Sequence, residues 1–148
     1  MNINPTDCTN YFKGLLVLAC REKPISYKER NHLINTGRTL GLSDEVITSY
    51  LGEAINNKNT SEEIPCFSSH EIAELFLKDG IKLSFADNML SLGQIDCLIK
   101  FAVKNKLSKQ WFFIELENFL DNYQSVNEGE LELQRRVSGL NSRVSFAQ

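Results

Sequence analysis

Residues 80–120, GIKLSFADNMLSLGQIDCLIKFAVKNKLSKQWFFIELENFL, repeat the pattern of an earlier stretch at one fixed distance. Leu16 aligns with Ile81, Leu18 with Leu83, Glu22 with Asp87, Ile25 with Leu90 and Ser26 with Ser91. Leu33 aligns with Leu98, Gly37 with Ala102, Leu42 with Leu107, Ser43 with Ser108 and Leu51 with Leu116, and each pair differs by 65, as in 87 − 22. No gap interrupts the register, which marks a duplicated unit. The chain is therefore expected to be all-α, with about seven helices: two pseudo-symmetric three-helix repeats, 11–56 and 69–121, and a C-terminal helical tail. The domain would run from 10 to 121, after a polar lead at 1–9 and before a tail at 122–148.

Helix starts and stops carry that expectation. Tyr11, Phe12, Leu15, Leu16, Leu18 and Ala19 recur at three- and four-residue steps, as on one buried helix face. Ser26-Tyr27-Lys28-Glu29 reads as a capping box, in which the serine hydroxyl accepts from the Glu29 amide and the glutamate reaches back. Gly41 suits a left-handed helix stop, and Ser43 caps the next helix, whose stripe is Val46, Ile47, Tyr50, Leu51, Ala54 and Ile55. The polar run 56–65 ends in Pro65 and reads as a linker. In the second copy Ser68-Ser69-His70-Glu71 and Ser91-Leu92-Gly93-Gln94 read as capping boxes, and a bend or break is expected near Gly80. The aromatic run Trp111, Phe112, Phe113, Leu116, Phe119 and Leu120 is expected to close the core between the halves.

Composition narrows the function. Sixteen basic against nineteen acidic residues give a formal charge of −3, without the electrostatic footprint of a nucleic-acid binder, and Lys100, Lys104, Lys106 and Lys109 read as a solvated helix face. The four cysteines show no finger or CxxC spacing and suit reduced thiols. The first ten residues have no basic and apolar signal pattern, and the longest apolar run, Leu15 to Cys20, is far short of a membrane span. A cytoplasmic protein without membrane insertion is expected. With two histidines, no Gly-x-Ser-x-Gly elbow and no glycine-rich phosphate loop, a non-enzymatic role is expected too.

One polar constellation repeats. Glu22 stands seven residues before Glu29, and Asp87 seven before Gln94. An acidic turn residue with a carboxylate in the next helix's first turn suits a hard divalent cation, and Glu22, Glu29, Asp87 and Asp79 are the candidate metal ligands, with His32 beside them. An EF-hand is excluded, because Leu18, Cys20, Leu83 and Phe85 occupy its earlier ligand positions. A symmetric di-iron site is excluded as well: Glu29-x-x-His32 is matched by Gln94 and Cys97. Against the metal reading stands the plain one, in which Glu29 completes a cap and Glu22 and Asp87 are turn acids.

The segments LLVLACREKPISYKERNHLINTGRTLGLSDEVITSYL and IKLSFADNMLSLGQIDCLIKFAVKNKLSKQWFFIEL resemble the TerB-like tellurite-resistance family. That family shows an apolar helix, an acidic Ala-Asp-Gly-type turn, a glutamate early in the next helix and a helix ending in Gly-Leu-Ser. The resemblance implies two helical repeats, a cytoplasmic setting, a place in stress-response assemblies rather than catalysis, and an acidic metal-binding surface at Asp87 and Glu29, with Glu22 where the first aspartate would stand. Lys23 and Asn88 replace the turn glycine and Gln94 the second glutamate. The expected function is a non-catalytic interaction module, with a metal-responsive protein as the alternative. Leu133, Val137, Leu140 and Val144 form a narrow apolar seam in the tail. Three uses of it stay open: docking back on the domain, pairing with a partner or a second copy as a homodimer, or disorder.

Overall fold

Each helix begins where a side chain caps its first turn. The computed structural model describes residues 3–21, 24–56, 64–86 and 90–123. Within them lie α1 (Pro5–Ala19), α2 (Tyr27–Thr39), α3 (Asp44–Asn56), α4 (His70–Ser84), α5 (Leu92–Lys104) and α6 (Lys109–Asp121), and no strand. The expected seventh helix, in the tail, lies outside the described residues. Corresponding helices start and end 65 positions apart: 70 − 5, 92 − 27 and 109 − 44 at their starts, 84 − 19, 104 − 39 and 121 − 56 at their ends.

Both capping boxes form. Ser26 N–H donates to Glu29 Oε1 at 3.0 Å and Glu29 N–H to Ser26 Oγ at 3.1 Å, while the Ser91–Gln94 pair closes with 3.1 Å in both directions. The stops match too. Gly41 (φ 88°) ends α2 with Leu42 N–H donating to Gly37 O at 3.0 Å, and Lys106 (φ 62°) ends α5 with Leu107 N–H donating to Ala102 O at 2.9 Å. This is the left-handed stop with its six-to-one bond, made in α5 by a lysine in a conformation that ordinarily favours glycine.

Three local expectations differ. Helix α1 begins at Pro5, not near Tyr11, because Asn4 Oδ1 caps it by accepting from Asp7 N–H at 2.8 Å and a proline in the first turn loses no helical bond. The cap of α4 is Ser69, accepting from Ile72 N–H at 3.2 Å, because Ser68 is engaged elsewhere by Asp7. Helix α4 runs through Gly80 unbroken. There the missing side chain is needed for packing: a Cβ on Gly80 would stand 2.7 Å from Leu98 Cδ2 and 3.0 Å from Leu18 Cδ2.

The core sits where α1 crosses α4. Helix α1 also packs on α2, α3 and α5, and α4 on α2, α5 and α6, with α2 on α3 and α5 on α6. Among the described residues, α3 and α6 thus pack only on helices of their own half. The aromatic α6 does not close the core between the halves: Phe112 and Leu116 are buried, but Phe113 and Leu120 are about half exposed. In α3 Ile47 and Leu51 are buried and Tyr50 and Ala54 pack partly buried against the core, while Val46 and Ile55 turn outward. A chain of rings fills the crossing. Phe76 lies 5.4 Å from Tyr11, 5.1 Å from Phe67 and 4.7 Å from Phe101, centroid to centroid.

Candidate functional site

Two of the four candidate ligands lie among the described residues. Glu22 and Asp87 lie outside the described residues. Glu29 is fully buried in the first turn of α2, and one carboxylate oxygen accepts from the Ser26 amide. Asp79 is fully buried in α4 and accepts a hydrogen bond from the Tyr11 hydroxyl across the helix crossing. His32, one turn beyond Glu29, is partly buried, and burial first and Lys28 second hold its pKa below the ordinary histidine value. Among the described residues no three His, Cys, Asp or Glu side chains gather to hold a metal ion, so Glu29, Asp79 and His32 do not make one site.

Glu29 acts electrostatically on Cys20, the C-cap of α1. Burial, and then the negative charge of Glu29, push the Cys20 thiol above the ordinary cysteine range. The thiolate is the nucleophilic form, so burial first and Glu29 second hold Cys20 toward the less reactive thiol. In Glu29→Gln the cap should survive, since Gln94 forms the same box at the start of α5. The pH profile of Cys20 alkylation by iodoacetamide, followed by mass spectrometry, should move to lower pH. An unmoved profile would show that burial alone suppresses the thiol.

Two polar residues absent from the repeat pattern tie the chain before α4 to the core. Asp7, in the first turn of α1, accepts from Ser68 N–H at 3.1 Å and from the Ser68 hydroxyl. Asn105, the C-cap of α5, accepts from Phe67 N–H at 2.7 Å and donates to Pro65 O at 3.1 Å and Phe101 O at 2.9 Å. Both are buried, and both serve the fold. The Asn4-Pro5-x-Asp7 run is a helix-start signal that would have placed Asp7, whereas Asn105 carries no local sign of its role.

The surface offers a different feature. On α6, Phe113 (48%), Ile114 (50%) and Leu120 (47%) are exposed around Glu117, one apolar strip of a helix whose opposite side holds Phe112 and Leu116 in the core. Sixty-five positions earlier, 113 − 65 = 48 and 114 − 65 = 49, the exposed residues of α3 are Thr48 and Ser49. At those two positions the side chains of α3 are polar, whereas Leu120 matches Ile55 (120 − 65), which is exposed as well; packing does not require Phe113 or Ile114 to be apolar. This strip is the candidate functional site.

No helix among the described residues is long and apolar enough to cross a membrane. Comparison with family models, with curated proteins and with solved structures finds no match to this chain.

Proposed function

We propose that this chain is a non-catalytic helical interaction module of the cytosol, a stress-response component of the TerB-like kind, and that the outer face of α6 is where it holds a protein partner. The observation that carries the reading is the apolar strip Phe113, Ile114 and Leu120, whose first two members are exposed where the matching positions 48 and 49 of α3 are threonine and serine. Exposed apolar side chains grouped on one helix are suited to a macromolecular surface. The buried polar side chains Asp7, Asp79 and Asn105, by contrast, hydrogen-bond to groups of the fold itself.

The repeat on which the family resemblance rests is part of the same proposal. Exchanging each helix for its counterpart 65 positions away leaves the set of packed helix pairs unchanged: α1 on α5 becomes α4 on α2, and α1 on α3 becomes α4 on α6. Individual contacts exchange likewise. Tyr11 reaches Asp79, and Phe76 lies against Gly14, where 76 − 11 and 79 − 14 are both 65. Cys20 touches Ala54, and Phe85 touches Phe119, again 65 apart in both members. Reciprocal contacts of this form are those of a two-fold arrangement, and they support an ancestral duplication.

Affinity capture from the source cells with the full chain and with Ile114→Asp tests the function. Both proteins should give the same helical circular dichroism, since Ile114 is half exposed. A partner retained by the first and lost by the second is the expected result. Equal recovery by both would remove the α6 face from the proposal.

A further inference from the structure

The chain continues for 25 residues beyond Tyr123, 148 − 123, and that segment starts at the foot of α6. Its seam, Leu133, Val137, Leu140 and Val144, is spaced four, three and four, while Phe113, Glu117 and Leu120 on α6 are spaced four and three, with Ile114 alongside. The tail seam is a single-sided apolar strip at helical period, whereas on α6 Phe113 and Leu120 lie seven apart on one side with the charged Glu117 between them. The seven residues 124–130, QSVNEGE, are mostly polar and within the length that joins antiparallel helices.

Charge is complementary. Residues 131–145 carry Arg135, Arg136 and Arg143 against Glu132, a net of 3 − 1 = +2, whereas 109–121 carry Lys109 against Glu115, Glu117 and Asp121, a net of 1 − 3 = −2. Opposite charges flanking an apolar strip favour one partner and penalise like-charged ones.

We propose that the chain's own C-terminal segment, residues 131–145, covers the outer face of α6 in the same molecule, Val137 opposite Phe113 and Ile114 with the arginines beside Glu117 and Asp121. Covalent connection favours this over a second copy, because a short linker sets an effective concentration of about millimolar. The inference rests on the α6 face being the partner surface, and makes the tail the competitor that a partner must displace.

Hydrogen exchange of the full chain, with light scattering on the same samples, tests it. Amides of 133–144 should exchange at least about tenfold more slowly in the native chain than in Ile114→Asp or Val137→Asp, with α1 and α4 equally protected in all three. The second variant alters only the tail, so its fold is not at stake. The mass should stay at 16.9 kDa on concentration. Tail exchange equal in all three proteins would overturn the inference, as would protection that appears only with a mass twice that value, which would assign the seam to a homodimer. Partner capture lost in Ile114→Asp without tail protection would keep the interaction reading and remove the cover.

Discussion

Replacing Phe76 by alanine is expected to lower the free energy of unfolding by about 3–5 kcal/mol, the range for deleting a buried aromatic ring. A domain of this size holds about 5–15 kcal/mol in all, so the variant should sit near the edge of folding. Phe76 is fully buried and touches three other rings, those of Tyr11, Phe67 and Phe101. The neighbouring backbone makes the loss severe. Its ring occupies the space left by Gly14, where an added Cβ would stand 2.8 Å from Phe76 Cε1 and 3.3 Å from Phe101 Cε1. Deleting the ring opens a cavity that a glycine cannot fill. The two positions should therefore be coupled. In the native background Gly14→Ala gains about 1 kcal/mol of helix propensity but forces the ring to move. In Phe76→Ala the clash is gone and Gly14→Ala should recover about 1 kcal/mol. Urea unfolding of the four proteins measures the coupling; a Gly14→Ala effect identical in both backgrounds would show that the crossing is looser than these distances imply.

What could be read from the sequence was what is local. A cap or a stop is decided by a few consecutive residues, so Ser26 with Glu29, Ser91 with Gln94 and Gly41 identified helix boundaries that the structure contains. Competition between neighbours was harder to see: Ser68 and Ser69 are both good caps, and only the Asp7 carboxylate, 61 residues away, decides that Ser69 takes the role. Direction on a helix was misread where apolar residues crowd it. In α6 the run Trp111-Phe112-Phe113-Ile114 offers more apolar surface than one buried face can accept, and only the placement of α6 beside α4 and α5 shows that Phe112 turns in while Phe113 and Ile114 turn out. Asp79, singled out as a metal ligand, pairs with Tyr11 across 68 residues, a distance at which sequence spacing carries no information. For the candidate site the repeat was nonetheless indispensable. Phe113 and Ile114 become informative only beside Thr48 and Ser49.

Asp7→Ala should cost about 2–4 kcal/mol, because hydrogen bonds to a charged acceptor contribute roughly 1.5–3 kcal/mol each and a buried donor left without a partner adds its own penalty. Asp7 is buried and takes both the amide and the hydroxyl of Ser68. The consequences spread along residues 64–69, the strap that leads into α4. Ser69, next in the chain, caps α4, and Phe67, just before, places its ring 6.0 Å from Tyr11 and 5.1 Å from Phe76. The other side of the strap is held by Asn105, which accepts from the Phe67 amide. Asp7→Asn keeps an acceptor oxygen without the charge and should lose about half as much. Asp7→Ala and Asn105→Ala act on one strap, so the double variant should lose less than the sum of the two. Additive losses would mean that residues 64–69 are fixed at two independent points. A sub-additive cycle, with the Phe67 and Ser68 amides exchanging together in either single variant, would identify the strap as one cooperative unit; 65 positions from its buried acid and amide, at 7 + 65 and 105 − 65, stand the apolar Ile72 and Leu40, so neither contact is part of the 65-residue pattern.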